Sequence, residues 1–272
     1  MRNSPRHILD WALGAAALLC ICDTSRAQDA PAAEANAANE ANNPLTPKIT
    51  LNLQDYYVPE LNRLEGTDAN QFLLRGLLPS KAFGIPQLIR FTLPVVTSPT
   101  FAGHETGLGD LTLIDFAVFP LNQSLLLGAG PLLVAPTATA TSSGAGKWQA
   151  GLAGVVVSPQ DWGLAAALVT YQHSFAGDTR HVAELVTFQP IVTYNLPQGF
   201  YLRSSGVWTF DRGNHNSYVP VGLGAGKVWT YGAGNNINAF VEPQITTFRS
   251  GVGVPTWQIF AGVNFQFALG PR

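Results

Sequence analysis

Charge is what this 272-residue chain lacks most: Asp, Glu, Lys and Arg make up 12% of it, against roughly 25% in an ordinary soluble domain. So little charge leaves little with which to coat a surface wetted on every side. The net charge of −2 supplies no basic field for nucleic acid and no acidic tail, so an electrostatic or nucleic-acid partner is not indicated. Cysteine occurs only as Cys20 and Cys22, both inside an expected leader. Beyond that leader, disulfides, thiol nucleophiles and cysteine metal sites are excluded. No later segment approaches the roughly 20 apolar residues of a membrane-spanning helix, which excludes helical spanning.

The N-terminus reads as a secretory signal over residues 1–27. Arg2 and Arg6 form a positive region, Ile8 to Cys22 is mostly apolar, and Ser25-Arg26-Ala27 offers the small residues of a cleavage site. Residues 28–47, QDAPAAEANAANEANNPLTP, show no apolar periodicity and are expected to be a disordered linker; an Ala-rich helix there would have nothing to bury. Residues 48–267 follow as one β domain, and 268–272 as a tail.

From Lys48 onward the hydrophobic pattern has period two. Candidate strands fall near 48–57, 70–78, 86–96, 107–118, 124–136, 147–158, 163–174, 182–195, 199–210, 217–229, 236–247 and 255–267. Most are longer than the 5–6 residues usual in soluble sheets and close to the 9–11 of a tilted membrane strand. Tight turns at 120–123, 159–162 and 196–199 alternate with polar loops near 97–106, 137–146, 175–181, 211–216 and 248–254. This pattern predicts an all-β fold, a transmembrane antiparallel barrel of about 12 strands.

The segment 255–267, PTWQIFAGVNFQF, separates into a greasy list (Trp257, Ile259, Ala261, Val263, Phe265, Phe267) and an amide-rich one (Gln258, Asn264, Gln266). A barrel in lipid turns the first outward and the second toward a polar lumen. The same register sends Arg75, Arg90, Arg203 and Glu242 inward with Gln189, Tyr201 and Gln244, and puts Val241, Pro243, Ile245, Val192 and Tyr194 on the lipid face. Strict alternation leaves Asp55, Asp115 and Lys227 on the apolar side, where each needs a bulge or a headgroup position. Pro190, Pro220 and Pro243 stand inside strands, where each removes a ladder donor.

FQPIVTYNLPQGFYLRSS (188–205), YVPVGLGAGKVW (218–229), NINAFVEPQ (236–244) and PTWQIFAGVNFQF (255–267), after GLGDL (107–111) and SFAGD (174–178), together resemble the outer-membrane transporter-like barrels of the MetA-pathway phenol-degradation family. The likeness covers most of residues 107–267. It departs from the family's pattern at Phe200, where Trp is common, and in the five residues after Phe267. The resemblance implies a barrel in the outer membrane of a Gram-negative bacterium that passes small, often aromatic or apolar compounds. Expected partners are membrane lipid, the permeant and the outer-membrane assembly machinery.

Two motif-like stretches fail on inspection. GLGAGK (222–227) lacks the first Gly of a phosphate loop and has Val228 where Ser or Thr should stand; GHETGLG (103–109) has Leu108 where a zinc helix needs its second His, and reads as a loop. His104, His173, His181 and His215 fall in or beside the long loops without a ligand spacing, so no metal is assigned. Arg75, Arg90, Asp110, Arg203 and Glu242 are candidates either for a selectivity constriction or for internal salt bridges. With Gln189, Tyr201, Gln244, Gln258 and Asn264 they are the expected pore-lining residues, and Gly128, Gly130, Gly222, Gly224 and Gly226 are expected to leave room in the bore. The function expected is passive passage of small molecules, without a cofactor and without catalysis. The alternatives are an outer-membrane lipid hydrolase, against which His173 and Ser174 lie on opposite strand faces, a non-conducting structural or surface-binding barrel, and an exported soluble β-sandwich.

Overall fold

The computed structural model describes residues 30–81, 84–122, 124–177, 182–232 and 234–269. The signal-peptide reading of 1–27 and His181 lie outside these. A helix α1 (Ala30–Asn42) precedes β1 (Ile49–Leu61), β2 (Ala69–Ser80), β3 (Gln87–Thr100), β4 (Gly103–Leu108), β5 (Leu111–Asn122), β6 (Leu125–Ala135), β7 (Lys147–Gln160) and β8 (Gly163–Gly177). Then come β9 (Glu184–Asn195), β10 (Phe200–Ser204), β11 (Trp208–Asp211), β12 (Asn216–Gly222), β13 (Gly224–Tyr231), β14 (Asn235–Ser250) and β15 (Pro255–Phe267). Every described pairing is antiparallel, and β15 closes on β1 with Ile49 opposite Phe267. β4 and β5 share one position beside β3, β10 and β11 one beside β9, and β12 and β13 one beside β14. The result is a closed barrel of 12 strand positions, the arrangement in which no backbone edge meets hydrocarbon.

Alternation places the side chains as the period-two reading expects. In β15, Gln258, Phe260, Asn264 and Gln266 are buried while Trp257 and Phe267 are exposed; Leu202 is exposed between buried Tyr201 and Arg203. The outer face carries Leu51, Leu53, Leu152, Val169, Val192, Val241 and Ile245 exposed, an apolar belt that needs lipid. Two of the three misplaced charges have local explanations. Both Asp55 oxygens accept 2.9 Å hydrogen bonds from Asn70 on the neighbouring strand. The Lys227 ammonium lies 4.4 Å from the Phe200 ring and 5.7 Å from that of Trp229 at the short-turn end, an interfacial cation–π setting. Asp115 Oδ1 is buried without a partner among the described residues.

Pro190, Pro220 and Pro243 gather around one discontinuity of the ladder. Between β9 and the next position, pairing runs from Phe188↔Trp208 to Val192↔Ser204 and skips the residues around Pro190. On the other side it stops at Thr209↔Tyr218 and resumes at Arg203↔Gly224, leaving Pro220 opposite the gap. Pro243 stands beside Leu223, the break between β12 and β13. These three residues, which cannot donate, thus sit beside the break, where ladder donors are not used.

Three expectations are corrected. The segment 97–106 is not a loop: β3 and β4 form a hairpin there, with Thr100 paired to Gly103, so GHETGLG is largely strand. The supposed disordered linker is helical over 30–42 and continues into the barrel, with Ala38, Ala41, Leu45 and Thr46 at 7% exposure or less. Its small side chains favour helix and what it buries is an alanine face and amide hydrogen bonds, which hydrophobic periodicity does not register. Nor do the glycines leave an open bore: Leu45 packs into the notch at Gly128, and the Tyr201 ring occupies the one at Gly226.

Candidate functional site in the lumen

α1 crosses the barrel at the short-turn end. Asn39 donates to the Gln160 carbonyl (2.8 Å) and accepts from Asn195 (2.9 Å), while Glu34 accepts from the Gln198 backbone N–H (3.0 Å). Lys48 ties the end of the segment to Glu40 (2.7 Å) and to the Gly234 carbonyl (2.5 Å). Residues 41–46 then form one side of a lumenal cavity of about 130 Å³, room for several waters.

The wall of this cavity is built by adjacent strands that turn polar residues inward. Arg75 on β2, Arg90 on β3, Gln189 on β9, Arg203 on β10 and Asn264 on β15 all line it, as the alternation predicted. Gln54 of β1 joins two of them: it accepts from Arg75 Nη1 at 2.8 Å and donates to Asn264 Oδ1 at 2.9 Å.

Arg203 and Glu242 form the one buried ion pair among the described residues, Nε to Oε2 2.9 Å, with the carboxylate fully buried. Ser205 Oγ accepts from Arg203 Nη2 (2.6 Å) and donates to Glu242 (2.7 Å), and Glu242 also accepts from the Ser205 backbone N–H (2.7 Å) and from Gln244 (2.9 Å). Gln258 continues the chain by donating to Gln244 at 2.6 Å. Since Ser205 lies at the ladder break, Glu242 and Gln189, whose amide donates to the Ser205 carbonyl at 3.0 Å, take the place of strand partners. The guanidinium of Arg203 rests 3.7 Å from the Phe240 ring centroid; Phe240 meets Phe260 edge-on at 4.9 Å, and Phe260 stacks on Tyr56 at 4.2 Å. This pair is wall structure: both Glu242 oxygens accept two hydrogen bonds each, and Arg203 is held by Glu242, Ser205 and the Phe240 ring.

Arg75 and Arg90 are different. No carboxylate among the described residues pairs with either, Arg75 Nε is buried without a partner, and they are diagonal neighbours, since Arg90 pairs with Leu77 and Arg75 with Thr92. Of the remaining expected residues, Tyr201 donates to Asn238 at 2.6 Å behind the cavity wall. Asp110 stands apart. It accepts from the backbone N–H groups of Ala138 (3.1 Å) and Ala145 (2.7 Å), shaping a long loop beside a second cavity of about 250 Å³. His104 contacts Asp68 at 3.1 Å, whereas His173 lies within β8 opposite Ala150 and His215 in the turn between β11 and β12. Among the described residues no three His, Cys, Asp or Glu side chains gather. Sequence reasoning missed Gln54, although its alternation with Asn52 and Thr50 is visible, and missed the inserted segment, which no strand pattern signals.

No known family model matches the chain, and no curated protein sequence matches it. Among solved structures it is similar to the crystal structure of the COG4313 outer membrane channel from Pseudomonas putida F1. The TM-score is 0.61 at 16% sequence identity, over 83% of this chain and 98% of that one. At this identity the likeness shows the fold.

Proposed function

We propose that the protein is an outer-membrane channel of the MetA-pathway phenol-degradation type, passing small molecules, aromatic or apolar compounds among them, without catalysis. The observation that carries this reading is an interior that is closed by an insert and not filled by its wall. Polar cavities lie along the lumen, and what separates them from the short-turn end is one segment held by hydrogen bonds to turns. The apolar outer belt supports placement in a bilayer, and the solved channel of like fold supports a conducting role. A hydrolase reading has little to stand on, because His173 pairs across from Glu184 and Ser174 from Gln149, on opposite faces of β8. Purified protein added to a planar bilayer is expected to give discrete conductance steps. Bilayers that stay sealed, with heat-modifiable gel migration proving the barrel folded, would favour a structural or surface-binding role.

A further inference from the structure

We propose that the lumenal cavity binds the carboxylate of a small amphiphilic organic acid through Arg75 and Arg90. The inference rests on the channel reading above and names the class of compound the channel takes.

Three arginines line this cavity, no carboxylate among the described residues lines it, and Glu242, the one that reaches an arginine of its wall, is engaged by Arg203, Ser205 and Gln244. The other two guanidiniums are set diagonally on β2 and β3, one carrying a buried, unbonded Nε and the other bonding nothing among the described residues. Two like charges facing one half-enclosed cavity from diagonal positions disfavour the empty site. A bound anion relieves both the repulsion and the missing hydrogen bonds. Planar guanidinium forks match a carboxylate in geometry as well as in sign. Gln54 cannot substitute for it, since its carbonyl already accepts from Arg75 and its amide is committed to Asn264.

The rest of the cavity decides what the acid is attached to. Leu77, Leu168 and Ile191 line it on one side and belong to, or pack against, the aliphatic cluster inside β2–β9. Phe260, a member of the aromatic stack, lines it as well. An apolar body seated on these groups leaves the carboxylate facing Arg75 and Arg90. A cation of the same shape meets the wrong charge.

Sodium benzoate is the probe. Calorimetric titration into the full-length barrel in detergent should give saturable binding that weakens about tenfold or more in Arg75→Gln and in Arg90→Gln, the loss expected for one charge-assisted hydrogen bond. Lys227→Gln, on the outer face, should bind as the parent does. Heat-modifiable migration checks that each variant is folded, and Arg90→Gln carries the test if Arg75→Gln fails to fold, because Arg90 holds no wall contact. Three results overturn the proposal: no benzoate binding, equal binding of benzylammonium, or displacement of benzoate by equimolar inorganic phosphate. Conductance is read separately. A barrel that binds benzoate but seals bilayers defeats the channel reading and leaves the site, whereas one that conducts without binding benzoate does the reverse.

Discussion

The two halves of the barrel interior are built on different chemistry. On the side of β3 to β8, the inward residues toward the short-turn end are mainly Leu88, Ile114, Phe116, Leu132, Val134, Val155, Val157, Leu164 and Leu168, nearly all below 7% exposure and packed together with Leu45 of the insert, while Gln149 and Thr170 are polar exceptions on β7 and β8. On the side of β14, β15 and β1 most are polar, Asn236, Asn238, Glu242, Gln244, Gln258, Asn264, Gln266 and Gln54, linked by hydrogen bonds and interrupted by the aromatic stack of Tyr56, Phe260 and Phe240. Both halves obey the same alternation. Facing inward is therefore a property of register, while being wet is a property of what stands across the lumen. One half is mainly an aliphatic core, the other mainly a polar network around an aromatic stack, and Arg75 and Arg90 lie on the seam between them.

The largest expected effect tests the polar half. Glu242→Gln leaves the Arg203 charge buried without its partner and is expected to cost about 3–5 kcal/mol, read as earlier loss of the heat-modifiable band in a denaturant series. A variant as stable as its parent would mean that water enters this half freely, and the contrast would fail. Leu164→Ala tests the aliphatic half, where a fully buried side chain is removed from a packed cluster at an expected cost of about 2–5 kcal/mol. An unchanged unfolding midpoint would show that this half is hydrated too.

The insert can be probed with a milder change. A Cβ at Gly128 would stand 2.7 Å from a Leu45 methyl, so Gly128→Val should push Leu45 out of its notch and raise single-channel conductance. Unaltered conductance would mean that residues 43–46 do not limit passage. The smallest effect belongs to the outer face: Lys227→Ala removes the contacts with Phe200 and Trp229 and should cost about 0.5–1 kcal/mol, with lumenal properties intact. A change in ion selectivity here would show that the outer and inner faces are coupled.

Much of this was legible in the sequence. All 12 strand positions appear near the expected ranges, because a two-sided wall between lipid and interior imprints its period on every segment that spans it. Of the charges read as inward, Arg75, Arg90, Arg203 and Glu242 do face the lumen, but sequence could not divide them into a satisfied pair and an unsatisfied one. That division depends on the neighbours that closure supplies: Glu242 reaches Ser205 only because the ladder is broken beside it. The prolines looked like faults when each strand was read alone. They become intelligible once Pro190 and Pro220 are seen flanking the broken β10–β11 position and Pro243 beside the break between β12 and β13.

The sequence by itself determined the barrel: its shortage of charge, its period of two and its alternating connections admit few other folds, since those are local consequences of a strand with different solvents on its two faces. The tertiary structure alone decided the contents of the lumen. Whether an inward Leu meets another Leu, whether an inward Arg meets a carboxylate, and whether an alanine-rich leader segment finds a cavity to enter are matters of distance across a closed ring, between residues far apart in the chain, and no local pattern records them.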